Sequence, residues 1–221
     1  MNRVLIVAPH PDDETLGCGG TLLKHKHRGD ELHWLIFTDM AASDQYTEDQ
    51  ISTRAEEVKL VAARYGFKTV SHLHFPPAQL DHLPKSELVA EVSGVVQNIQ
   101  PQIIYLPYRN DVHSDHEVVF DVCIAATKQF RLQSIKELLV YETLSETNFS
   151  LKPDVVFNPN YYVDIHEYLQ EKLNIVSIYA SELADFPFPR SLEAIAALAK
   201  YRGTQANAKA AEAFMLLKKV C

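Results

Sequence analysis

The sequence predicts an α/β fold: a Rossmann-like, mostly parallel sheet with helices on both faces, forming a single layered domain over residues 1–221. Three observations predict it. Short apolar runs alternate with amphipathic helical patterns up to residue 140, as in a parallel sheet with crossover helices. The runs are continuously apolar, as expected of strands buried on both faces. The 47% hydrophobic fraction is ordinary for a globular protein and enough for a full core.

The first strand covers residues 3–8, and His10-Pro11-Asp12-Asp13 follows it. Proline second and aspartate third suit a type I turn, whose first and fourth Cα atoms lie within about 7 Å. Such a turn brings His10 and Asp13 together and leaves Asp12 projecting between them. Gly17, Gly19 and Gly20 let backbone pass close to a neighbour or a ligand, and residues 21–28 read as helix, stopped by Gly29. Residues 31–38 form the second strand, ending at Asp39. A Thr47/Gln50 capping box starts a helix whose apolar stripe is Ile51, Ala55, Val58, Ala62 and Tyr65, closed by Gly66. Arg54 falls in the phase of that stripe, directed inward or at a cleft edge.

A third strand covers 68–75. Leu88, Val92, Val95, Val96 and Ile99 mark a helix stopped by Pro101, and 102–106 is a fourth buried strand. Ser114 and Glu117 read as a second capping box, opening a helix that carries Val118, Val119, Val122, Ala126 and Phe130. Further strands are expected at 138–141, 161–165 and 213–220. Helices are expected around Leu169, Leu173, Val176 and Tyr179, and within 191–202, ended by Gly203.

Formal net charge is −8 with no long run of either sign, which argues against an electrostatically driven nucleic-acid partner. Cys18, Cys123 and Cys221 are odd in number and contain no CxxC, which fits a reducing compartment and places the protein in the cytoplasm. The apolar run at 4–8 is too short for a signal-peptide core or a membrane span. An exposed sheet edge or apolar loop leaves room for a homo-oligomer, although no periodic seam marks one.

In sheets of this class ligands bind beyond the carboxyl ends of the strands. Two charged clusters, 10–14 and 111–117, stand there after their own strands and can face one crevice. His10 and Asp13 offer two metal ligands on one turn, and His116 in the later helix offers a third. Two histidines, one carboxylate and an open position make a catalytic zinc site, and zinc lowers the pKa of a bound water toward about 7. Asp12 is placed to take a proton from that water. His113 can stabilise an oxyanion or protonate a leaving amine, and Asp115 can orient an imidazole. The apparatus suits metal-assisted amide hydrolysis. The ligand set alone also admits Fe2+ or another divalent transition metal, as in non-haem oxygenases; the additional carboxylate favours hydrolysis. Gly17-Cys18-Gly19-Gly20 with Asp39 imitates a dinucleotide fingerprint, but the spacing is not G-x-G-x-x-G, and carboxylates stand where a pyrophosphate would come.

Ala8-Pro9-His10-Pro11-Asp12-Asp13-Glu14 together with Asp111-x-His113-x-Asp115-His116 resembles the PIG-L/LmbE-like family of zinc-dependent N-deacetylases. Arg54-Ala55-Glu56-Glu57 looks like that family's arginine-bearing helix, and Tyr201-Arg202-Gly203 with Ala211-Glu212-Ala213-Phe214 looks like its C-terminal segment. The resemblance implies hydrolysis of an N-acetyl group on a small amino sugar or glycoconjugate. It implies His10, Asp13 and His116 as zinc ligands and Asp12 as general base. His113 then faces the oxyanion or leaving group with Asp115 as its charge partner, and Arg54 holds the substrate. The stretch between Gly203 and Glu212 departs from the family in lacking a glycine, which bears on the substrate mouth. An amidase on a non-acetyl amide, such as a thiol conjugate, and a non-catalytic sugar- or metal-binding module are the competing readings. Asp12 and His113 argue against the module, because a binder needs neither. His72 and His74 share a strand face, where a second metal site would require a nearby carboxylate. His25, His27, His33, His82 and His166 read as surface residues, and Cys18 as packing beside the glycines.

Overall fold

The computed structural model describes residues 1–152 and 154–221. In chain order the elements are β1 (Arg3–Ala8), α1 (Asp13–His27), β2 (Glu31–Thr38), α2 (Glu48–Tyr65), β3 (Thr69–Phe75), α3 (Lys85–Ile99) and β4 (Ile103–Pro107). There follow α4 (Ser114–Ala126), β5 (Glu137–Tyr141), β6 (Tyr161–Asp164), α5 (Leu169–Val176), α6 (Leu192–Ala206) and β7 (Ala211–Lys219). The strands make one sheet in the order β3-β2-β1-β4-β5-β7-β6. The first five strands are parallel, and β7 runs antiparallel between β5 and β6. The Rossmann-like α/β class is therefore the observed one.

Strand alternation divides the core. Leu5, Val7, Leu35, Phe37, Ile104 and Leu106 face α3 and α4, meeting Leu88, Val92, Val119 and Val122. Val4, Ile6, Leu32, Trp34 and Ile36 face the opposite layer, meeting Cys18, Leu22, Val61, Tyr65 and Ile175. Because strand side chains point to alternate faces, continuous apolar runs are what two covered faces require. Chain order reverses between β1 and β4, and a crevice opens there at the carboxyl ends of the strands. Both charged clusters follow those two strands. Among the described residues no helix is long and apolar enough to cross a membrane.

Several local expectations are corrected. Helix α1 begins at Asp13, eight residues ahead of the expected start, and carries its glycines in its interior. The glycines serve close packing with protein: a Cβ on Gly17 would enter the Tyr141 ring, and one on Gly20 would stand 2.7 Å from Ile165 Cβ. The buried residues of α2 are Arg54, Glu57, Val61 and Tyr65, so the buried face is rotated from the apolar stripe. Arg54 lies on that face because it reaches the crevice, and Glu57 stands 2.9 Å from its guanidinium. His113, rather than Ser114, caps α4 by accepting the Asp115 N–H. Phe130 lies beyond that helix and is exposed. Helix α6 runs through Gly203 to Asn207, which takes the left-handed conformation at the helix end in place of a glycine.

Candidate active site

Backbone geometry builds the first half of the site. The turn after β1 closes with Asp13 N–H donating to His10 C=O at 3.4 Å. It is not a type I turn: Asp12 sits at φ 133°, a region L-residues rarely enter. Its neighbours hold it there. Asp12 N–H donates to Glu14 Oε2 at 3.0 Å, and Arg54 Nη1 donates to Pro11 C=O at 2.9 Å. Glu14 is fully buried and also accepts from the hydroxyls of Thr15 and Tyr179. Burial pushes its carboxyl up to about 7. Strain of this kind costs about 1–3 kcal/mol and persists only where the surroundings enforce it.

The turn after β4 supplies the second half. The ring centroids of His10 and His116 are 5.6 Å apart, and those of His10 and His113 are 4.4 Å apart. Asp13 Oδ2 lies 3.3 Å from His10 Nδ1 and 3.4 Å from His116 Nε2. The outer nitrogen of each ring has its own carboxylate: His10 Nε2 is 3.0 Å from Asp115 Oδ2, and His116 Nδ1 is 2.7 Å from Asp111 Oδ2. Thr147 donates to the other oxygen of Asp111 at 2.6 Å. With the outer nitrogens donating, His10 Nδ1 and His116 Nε2 present lone pairs beside an anionic oxygen once the rings are neutral, and His116 Nε2 is buried without a hydrogen-bond partner. Three converging donors with carboxylate-oriented imidazoles are what a divalent metal requires.

A second set, His10, His113 and Asp115, also brings its donor atoms together. Its members are already committed. Asp115 accepts from the N–H groups of Ala78 and Leu80 as well as meeting His10. His113 Nδ1 accepts the Asp115 N–H at 3.2 Å. Asp115 therefore orients His10, and its side chain makes no hydrogen bond to the His113 ring expected as its charge partner.

Electrostatics agree with this division. Although burial opposes its charge, the His116 and His10 imidazoles hold Asp13 well below the usual carboxylate range. Burial also opposes charge on His10, yet Asp115 and Asp13 raise it to about 9. Burial and the Asp13 charge push Asp12 well above its ordinary value, against the pull of Arg190 and Arg54. Burial, with His10 and His116 beside it, lowers His113 to about 4, so it is a neutral imidazole near pH 7.

His10, Asp12, Asp13, His113, His116, Arg54 and Arg190 line one solvent-open cleft, which Met40, Tyr46, Thr143 and Glu146 also border. Arg54 is buried in its wall rather than snorkelling at the surface. It pairs with Glu182 and lies 2.9 Å from Glu57. Arg190 Nη1 is 3.7 Å from Asp12 Oδ2, and its Nη2 is 3.2 Å from Glu182. Sequence reasoning missed Glu182 and Arg190, which belong to no motif. It also gave no role to Asp111, although its place five residues before His116 was a usable signal. The 203–212 stretch does not border the cleft. Glu212 instead accepts from Gly20 N–H and Thr21 N–H and from Lys172, tying the tail to α1. His25 and His33 are buried, not superficial: His25 bridges Asp30 and Tyr105, and His33 meets Thr69.

The seven-stranded α/β sheet thus brings two histidines and a carboxylate together at its switch point, a set whose donor atoms lie close enough to hold one metal ion. Residues 5–127 match the PIG-L family (GlcNAc-PI de-N-acetylase), and the chain belongs to this family of hydrolases that remove acetyl groups. It is 27% identical over 201 residues to diacetylchitobiose deacetylase of Thermococcus kodakarensis, covering 84% of this chain and 72% of the relative. It is 24% identical over 190 residues to a probable N-acetyl-alpha-D-glucosaminyl L-malate deacetylase 2 of Bacillus anthracis, covering 82% of each. A conserved protein from Thermus thermophilus superposes with a TM-score of 0.81 at 26% identity, covering 100% of this chain and 97% of that one.

Proposed function

We propose that the chain is a zinc-dependent N-deacetylase for an uncharged N-acetylated amino sugar or its glycoconjugate, with residues 1–221 acting as one catalytic domain. One observation carries the reading: the partnerless His116 Nε2 and the inner nitrogen of His10 converge on Asp13, with Asp12 on the same turn. His10, Asp13 and His116 would hold the metal. When bound, zinc supplies Lewis acidity and brings the pKa of water toward about 7.

The chain's own residues supply the rest. Asp12 takes a proton from the attacking water; burial beside Asp13 raises its affinity for that proton. His113 accepts a backbone N–H at Nδ1, so its ring proton is on Nε2, free to donate to the carbonyl oxygen as charge develops there. With its pKa lowered to about 4, it serves as a neutral donor to an oxyanion rather than as the acid for the leaving amine. Asp115 and Asp111 keep the two ligand rings in position. Arg54 secures the turn through Pro11 C=O and, with Tyr46, forms the wall against which the sugar is held. Both cleft arginines are paired with Glu182. The wall therefore offers hydrogen bonds rather than unpaired cations, which suits a neutral sugar better than a phosphorylated or carboxylated one.

The test is acetate release from N,N'-diacetylchitobiose and N-acetylglucosamine derivatives, with free amine scored in parallel on other N-acylated amines. Asp12→Asn should abolish release while metal stays bound. Turnover of only non-acetyl amides would favour the amidase reading, and loss of metal in Asp12→Asn would make Asp12 a ligand.

A further inference from the structure

We propose a second transition-metal site at the mouth of the cleft, formed by Asp39, His72 and His74. The sequence puts the two histidines on one strand face, and the fold supplies the carboxylate: Asp39, at the end of the neighbouring β2, has a side-chain oxygen close to a ring nitrogen of each.

The local backbone explains the convergence. Alternate residues on a regular strand are about 6.6 Å apart along its axis. Here the β2/β3 register slips between Ile36 and Thr38, so that Leu73 and His74 together stand opposite Phe37. His74 takes a left-handed φ of 57°. The His72 and His74 rings stack with centroids 4.3 Å apart. Asp39 is fixed from both sides: its N–H donates to Phe75 C=O at 2.8 Å, and its Oδ1 accepts Ala41 N–H at 2.9 Å. Oδ2 is left facing His74 Nδ1 at 2.6 Å and His72 Nε2 at 3.8 Å. His72 Nε2 also lies 2.8 Å from Thr38 C=O. A cation taken up at Nε2 replaces the proton that this carbonyl accepts, and the carbonyl stands by as a further oxygen donor.

Two imidazoles and one carboxylate select zinc and its neighbours over magnesium or calcium. His74 is 64% exposed and the other two are about 20% exposed, so the site is open and binds more weakly than the enclosed catalytic set. Asp39, His72 and Met40 line the same cleft as His10 and His116. A cation here adds positive charge where substrate enters and product amine leaves.

Zinc titration by calorimetry, with metal content measured after desalting, reads the site without reference to turnover. His74→Asn suits the test, because asparagine tolerates left-handed φ and residue 74 does not border the cleft. Wild-type protein should bind about two equivalents, the second at least about tenfold more weakly, and His74→Asn about one. His116→Ala should keep the weaker equivalent and lose the tighter one. A single equivalent in both wild type and His74→Asn overturns the site, as does a second equivalent that survives both His74→Asn and Asp39→Asn. Excess zinc should also lower the initial rate of the wild type several-fold and spare His74→Asn. That arm rests on the deacetylase reading, and the His116→Ala arm on its metal site; equal inhibition of both proteins would overturn the placement of the cation at the mouth.

Discussion

Asp12 carries the sharpest consequence of the account at the residue scale. It is buried beside Asp13 with Arg190 3.7 Å away. Asp12→Asn should reduce kcat by about 10²–10⁴ with zinc content unchanged, measured by acetate release and metal analysis. Removing the Arg190 charge should raise the Asp12 pKa further, because that charge now lowers it. The base form is then lost at a higher pH, so Arg190→Ala should move the acid limb of the kcat/KM profile upward. The ligand rings give a second sign. In the metal-free protein His10 is raised to about 9 from 6.5, so between these values it carries a proton that metal must displace. Metal affinity should rise with pH through this window and binding should release protons, as calorimetry in buffers of different ionisation enthalpy can measure. Asp111→Asn leaves His116 without its orienting carboxylate and should weaken metal binding about 10–100-fold. That His10, Asp12, Asp13 and His116 meet at one crevice was legible because each stands in a motif next to a strand end. Arg190 was not, since its role comes only from a loop folding back over Asp12.

Among the elements, α1 shows where sequence reasoning stopped. Gly17, Gly19 and Gly20 read as letting backbone pass close to a neighbour or a ligand, ahead of a helix starting at residue 21. They lie inside a helix because larger side chains would collide with Tyr141, Lys172 and Ile165. Packing outweighs propensity here, and no local signal reports a neighbour more than a hundred residues away. Gly20→Ala should destabilise the protein by about 1–3 kcal/mol through overpacking, measured by chemical denaturation. The tail is tied to the same helix. Lys172 Nζ donates to Leu16 C=O and to Glu212, which also accepts two N–H groups from α1. The cap of α4 was misassigned for a similar reason: Ser114 and Glu117 fit a capping box, but His113 Nδ1 takes that place and so fixes its own tautomer.

The whole molecule was the most legible level. Continuous apolar runs separated by helical periods describe a doubly covered parallel sheet, whose strand order β3-β2-β1-β4-β5 only the structure supplies. The placement of β7 between β5 and β6 has no such signal, because antiparallel pairing at the far edge depends on contacts remote in sequence. The switch point between β1 and β4 places two turns a hundred residues apart on one crevice. The claim that they share one divalent ion there is tested most directly by anomalous diffraction at the zinc edge from zinc-loaded crystals. The account predicts a peak bonded by His10 Nδ1, Asp13 and His116 Nε2. A crevice ion bonded instead by His113 and Asp115, or no ion near His116, would contradict it.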